Sequence, residues 1–125
     1  MRLGRKIRPE RIARPLYERA ILKSLQDSGG QADIDLVYAS VQRLLAEDLR
    51  RHPQDLECYG STGESIWRNQ VRQAVRNLKA RNQVQSRHRA VWCIAPAGGE
   101  RLRKFEETGI DPDDPRDFEL ETVPV

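Results

Sequence analysis

The chain has 125 residues, 38% hydrophobic and 33% charged, with a net charge of +3, which bounds it to one domain with a small core and solvated ends. Two cysteines, Cys58 and Cys93, are too few for a secreted disulfide framework, and no run approaches the ~18 apolar residues that span a bilayer. No apolar stretch follows the basic N-terminus as it would in a signal peptide, so a cytoplasmic protein with no membrane partner is expected.

Residues 1–14 contain six basic residues and one acid, and read as a flexible basic arm. Pro15 suits the first turn of a helix, where its missing N–H would be unpaired anyway. Leu16, Tyr17, Ala20, Ile21, Ser24 and Leu25 then recur at three- to four-residue spacing until Gly29-Gly30 ends the helix. After a short extended piece at 31–34, Asp35 caps a second helix. Its buried stripe is Val37, Val41, Leu44 and Leu45, with Tyr38 and Leu49 beside it, and His52-Pro53 breaks it. A polar loop runs to Gly63. Ser61 and Glu64 have the spacing of a capping box, which starts a third helix with Trp67, Val71, Ala74, Val75 and Leu78 on one face. Beyond Asn82 the period falls from 3.6 to 2, predicting a β-hairpin from 84–86 and 90–95 around Arg87-His88-Arg89. Pro96-Ala97-Gly98-Gly99 leads into a short helix over 100–107. The acidic, Pro-rich remainder is expected to be disordered or loosely docked.

This order predicts an α+β, mainly α fold, a winged helix-turn-helix of three helices, a β-hairpin wing and a short C-terminal helix. The divisions are a basic arm at 1–14, a winged-helix domain at 15–108 and an acidic tail at 109–125. Charge follows the same division: residues 1–103 hold 20 Lys and Arg against 11 Asp and Glu, a net of +9, whereas 104–125 hold 2 against 8, a net of −6. A basic body points to a polyanionic partner, and an acidic tail to a competitor for the same face.

The third helix carries the most information. Opposite its apolar stripe lie Asn69, Arg72, Gln73 and Arg76, flanked by Arg68 and Lys79, with no acid after Glu64. Ordinary solvated faces mix signs to gain i,i+4 pairs, and this one does not. Arg bonds guanine bidentately and Asn or Gln bonds adenine, so the face suits a major groove. Arg87, His88 and Arg89 at the hairpin tip suit phosphates or a minor groove.

Enzyme chemistry is not expected. His52, Cys58, His88 and Cys93 lack the close pairing of zinc ligands, and neither Cys nor His sits in a recognisable catalytic signature. Asp111, Asp113 and Asp114 could chelate a metal only weakly, from a tail that preorganises nothing. No catalytic residue, metal or cofactor is therefore assigned.

From Pro15 to about Arg103 the chain resembles the N-terminal winged-helix domain of Mrr-type restriction proteins. The likeness rests on Pro15-Leu16 entering the first helix, Gly29-Gly30 before a short strand, and Trp67-Arg68-Asn69-Gln70-Val71 with Ala74 and Leu78-Lys79. It continues in Ala90-Val91-Trp92-Cys93-Ile94 leading into Gly98-Gly99-Glu100-Arg101. The family often has an aromatic where Gln73 stands and Ala-Gly where Arg81-Asn82 stands, and the nuclease domain that usually follows has no counterpart in these residues. The resemblance implies binding of double-stranded DNA, modified DNA included, in a bacterial or phage restriction or regulatory setting. It also implies a nucleoid-associated location and a separate nuclease or other protein subunit as partner. The alternative is a protein-interaction adaptor on the same fold.

Overall fold

A computed structural model describes residues 11–116. Helix α1 (Arg14–Asp27) starts with Pro15 in its first turn and buries Tyr17, Ala20, Ile21, Leu22, Ser24 and Leu25. Its end is a glycine-closed turn. Gly29 (φ 85°) and Gly30 (φ 108°) take the left-handed conformation, Gly30 N–H donates to the Leu25 carbonyl at 2.8 Å, and Gly29 N–H donates to Gln26 at 3.1 Å. These bonds satisfy carbonyls that the helix leaves open.

Strand β1 (Gln31–Asp33) follows, then α2 (Ile34–Leu44), α3 (Ala46–Arg51) and a 3-10 turn at Pro53–Leu56. The second helix is thus broken at Leu45, where one continuous helix is predicted from sequence. The break swings Leu45 and Leu49 into the core and leaves Leu44, expected in the buried stripe, 38% exposed. The cap is not Asp35 but Asp33, without a side-chain hydrogen bond.

Helix α4 (Ile66–Ala80) buries Trp67, Val71, Ala74, Val75 and Leu78, the stripe read from sequence. The capping box does not form: the helix begins after Ser65, and Glu64 is engaged elsewhere. The hairpin pairs β2 (Val84–His88) with β3 (Val91–Ile94), and β1 joins the other edge of β3, giving an antiparallel sheet of order β1-β3-β2. The molecule is α+β and mainly helical, an arrangement compatible with a winged-helix-like fold. No helix among the described residues is long and apolar enough to cross a membrane.

The core gathers around α1. Tyr17, Ile21, Leu22 and Leu25 meet Val37 and Val41 of α2, Val71 and Leu78 of α4, and Leu102 of the last helix. Tyr38 packs against Trp67 and Trp92 with ring centroids 6.1 and 6.3 Å away. Burying a side chain such as Leu78 stabilises the fold by about 1.5–3 kcal/mol. Helix α5 (Pro96–Thr108) closes over the hairpin root, where Gly98 lies so close that a Cβ would stand 2.3 Å from the Gln83 carbonyl oxygen and 2.9 Å from Leu22.

Residues on either side of the helical body pack against it. Ile12, assigned to the arm, is buried, and its N–H donates to Asp55 Oδ1 at 3.4 Å; residues 1–10 lie outside the described residues. After Gly109 (φ 76°) ends α5, residues 110–116, from a segment expected to be disordered or loosely docked, lie against the body as a strap. Asp111 is fully buried. It accepts two 2.8 Å hydrogen bonds from Arg101 and one at 2.9 Å from Arg19, while Arg101 also pairs with buried Glu18 at 2.8 Å. Charge pairing with good geometry is what allows these acids to leave water. The expected competition of the tail for the basic face concerns residues up to 125, of which 117–125 lie outside the described residues.

Candidate nucleic-acid interface

The candidate surface is built on one rigid joint. Helix α4 ends at Ala80 with Arg81 as its cap, Asn82 takes a left-handed φ of 59°, and Gln83 N–H reaches back to the Leu78 carbonyl at 2.8 Å. Asn tolerates that conformation better than most residues, so the turn closes without glycine. Strand β2 leaves directly from this cap, which fixes the hairpin beside the helix. Gln83 is buried and bonded to Arg101 and Asp113, at 3.0 and 2.6 Å.

On α4, Arg68, Arg72, Arg76 and Lys79 are exposed, with Asn69 and Gln73 half-buried beside them. The buried stripe alone dictates this, since the positions between buried ones at helical spacing must face out. On the hairpin, Arg87, His88 and Arg89 are all exposed. Their placement differs in detail from expectation: Arg87 and His88 belong to β2, the register shifts between Ser86 and His88, and the turn is Arg89-Ala90.

The sequence groups all these cations together; the structure sorts them into two classes. Arg72 turns back to Glu64 in a two-pronged ion pair, with one arm at 2.9 Å. The hydrogen bond from Arg72 holds the Glu64 carboxyl below the ordinary range, and Asn69 adds to it. The guanidinium of Arg68 lies over the Tyr38 ring at 4.3 Å and near Trp67 at 5.5 Å, a cation–π arrangement that limits where it points. Arg76, Lys79, Arg87, His88 and Arg89 make no ion pair among the described residues.

The edge of the face beyond these residues serves structure. Gln70 accepts from Arg14 Nε at 3.0 Å, and Asn77 and Arg81 reach Glu18 at 3.4 and 3.3 Å. Sequence reasoning missed Glu64 as a partner, reading it as a cap; the i, i+4, i+8 series Glu64, Arg68, Arg72 was the available signal. The acids weighed as a metal site are arginine-bound. Asp111 faces Arg19 and Arg101, Asp114 faces Arg19 and Arg116, and Asp113 lies within 3.7 Å of Arg81. Among the described residues no group of three His, Cys, Asp or Glu side chains is placed to hold a metal. Cys58 is exposed and Cys93 is buried, its thiol 3.5 Å from Gln31 Oε1.

Comparison with family models, with curated proteins and with solved structures finds no match for the chain.

Proposed function

We propose that the chain is a winged-helix module that binds double-stranded DNA, with α4 entering the major groove and the hairpin tip at the adjacent backbone. One observation carries this reading. Among the described residues, Arg76, Lys79, Arg87 and Arg89 are exposed and make no ion pair, on α4 and the hairpin that its cap holds beside it, whereas Arg19, Arg50, Arg51, Arg101 and Arg103 each bind an acid. Unpaired cations keep counterions that phosphates displace, and that displacement drives attachment. The order helix, strand, helices, hairpin, with β1 paired to β3, supports the fold assignment. The resemblance to Mrr-type domains gives the setting: restriction or regulation of bacterial or phage DNA, modified DNA included, in the cytoplasm on the nucleoid. The chemistry of cleavage belongs to a separate nuclease subunit, and this module is not an enzyme.

A second reading has its own observation. A groove of about 290 Å³ lies between α1, the α2–α3 junction and α5, with Leu16, Ala20, Leu44, Leu45, Leu102 and Phe105 in its lining and Arg19, Lys23, Asp48 and Glu106 among them. A protein-interaction adaptor would use such a groove, and so would a DNA-binding subunit that recruits its partner.

Titration of a labelled random-sequence duplex at two salt concentrations separates the two readings. Four phosphate contacts predict a log–log slope of about −3.6, hence about a hundredfold loss of affinity between roughly 50 and 200 mM salt. The variant R76A/K79A/R87A/R89A is expected to bind at least about tenfold more weakly with unchanged circular dichroism. A folded parent that binds no duplex, or a folded variant that binds like the parent, overturns the DNA reading.

A further inference from the structure

The two classes of arginine on α4 differ in freedom, and freedom decides what an arginine does on DNA. A phosphate contact needs only charge within reach, and a mobile side chain supplies it. Reading a base edge needs a guanidinium held in one plane, because two parallel N–H bonds must meet two acceptors at once. We propose that α4 is divided accordingly: Arg72, braced by Glu64, reads guanine in the major groove, while Arg76, Lys79 and the hairpin arginines grip phosphates. This rests on the DNA-binding reading above.

Geometry supports the brace. Both Glu64 oxygens engage the two terminal nitrogens of Arg72, end-on, at the start of the helix. A guanidinium has five N–H groups. End-on pairing occupies two of them, the Tyr38 hydroxyl lies against the same guanidinium, and the Nε–Nη2 edge has the spacing to bond guanine O6 and N7. Arg72 retains 47% side-chain exposure while Glu64 retains 26%, so the cation stands outside its brace. Arg72 also lies in the N-terminal half of α4, the part of a recognition helix that meets base edges.

Glu64 also has a cost that makes sense in this role. A carboxylate on a phosphate-facing surface weakens attachment to any sequence, so it lowers nonspecific binding while fixing the residue that discriminates. Arg68, laid over Tyr38 one turn earlier, completes a braced N-terminal half beside a C-terminal half whose Arg76 and Lys79 make no ion pair among the described residues.

The test is selection of bound duplexes from a random-sequence pool by the full chain, followed by sequencing, together with affinity for the unselected pool. The parent is expected to enrich a short motif containing guanine. R72K keeps the charge and loses the planar fork. It should lose preference at one guanine, from about tenfold or more to near none, with pool affinity within about threefold of the parent. E64Q should bind the pool several-fold more tightly at low salt, with a salt slope steeper by about 0.9, and should enrich guanine less. R76A/K79A should weaken pool binding and keep the motif. An R72K motif identical to the parent's, or E64Q binding the pool like the parent, overturns the division while DNA binding stands. A parent that binds no duplex overturns the DNA reading itself.

Discussion

Arginines at the root of the hairpin and arginines at its tip live in different electrostatic worlds. At the root, Arg101 is almost fully buried and clasps Asp111 with two hydrogen bonds and Glu18 with a third contact, while Arg81 bridges Glu18 and Asp113. At the tip and along α4, Arg87, Arg89, Arg76 and Lys79 are exposed and meet no acid among the described residues. Arg101 has given up hydration, and its neighbours offset that loss only while every partner stays in place. The exposed set keeps water and counterions, and is therefore available to a polyanion. A high arginine count is thus no measure of binding capacity until those locked into the fold are subtracted.

The largest expected effect breaks the buried side of this contrast. R101A removes the buried cation shared by Glu18 and Asp111, leaving them the more exposed Arg81 and Arg19, and is expected to cost about 3–5 kcal/mol in denaturant unfolding. A loss below about 1 kcal/mol would put Arg101 with the exposed set. The four-residue variant R76A/K79A/R87A/R89A is the mirror case: it should lose duplex binding while unfolding within about 0.5 kcal/mol of the parent.

Acid should separate the two regions as well. Burial alone would raise the Asp111 carboxyl, but hydrogen bonds from Arg101, the Asp113 backbone and Arg19 outweigh it and hold it below its ordinary 3.8. Asp114 is held low first by Arg116, against some burial. Groups depressed in this way contribute stability that is complete above the ordinary value and is lost as pH falls through their lower folded values. Thermal midpoints should therefore be level above about pH 5 and decline below about pH 4, and the decline should be shallower in D111N. An equally steep decline in D111N would show that the strap does not contribute it. The smallest effect is expected on the outer face of α5, where Arg103 pairs with Glu100 and Glu107 in full solvent. R103A should change stability by less than about 0.5 kcal/mol, and a larger loss would blur the line between exposed and buried pairs.

Local chemistry was legible in the sequence, and distant pairing was not. The stripe of Trp67, Val71, Ala74, Val75 and Leu78 needs only the helical period, and Gly29-Gly30 ends α1 through bonds within six residues. The break at Leu45 has no glycine or proline to announce it; tertiary packing of Leu45 and Leu49 sets it. Asp111 and Asp114 look like solvated tail acids until Arg19, more than ninety residues away, meets them. Their pairing is a long-range property, and a Pro-rich acidic composition conceals it. At the candidate site the exposed positions followed from phase alone. The sorting of Arg72 and Arg68 from Arg76 and Lys79 depended on Glu64 and Tyr38, which lie outside α4.

The close seat of Gly98 has a mechanical meaning. At Gly98 the α5 backbone lies directly on the Gln83 carbonyl, whose oxygen also accepts from Ala95 N–H at 2.9 Å, so no side chain of residue 98 spaces α5 from the hairpin root. The hairpin is held at both ends of β3: at the root by this contact, and beside the turn by Ile34 N–H, which donates to the Ala90 carbonyl at 2.9 Å, with Asp33 paired to Val91. The register irregularity between Ser86 and His88 therefore falls on the outer strand alone. Arg87 and His88 are carried on that irregular edge, while β1 and α5 set the angle between hairpin and α4.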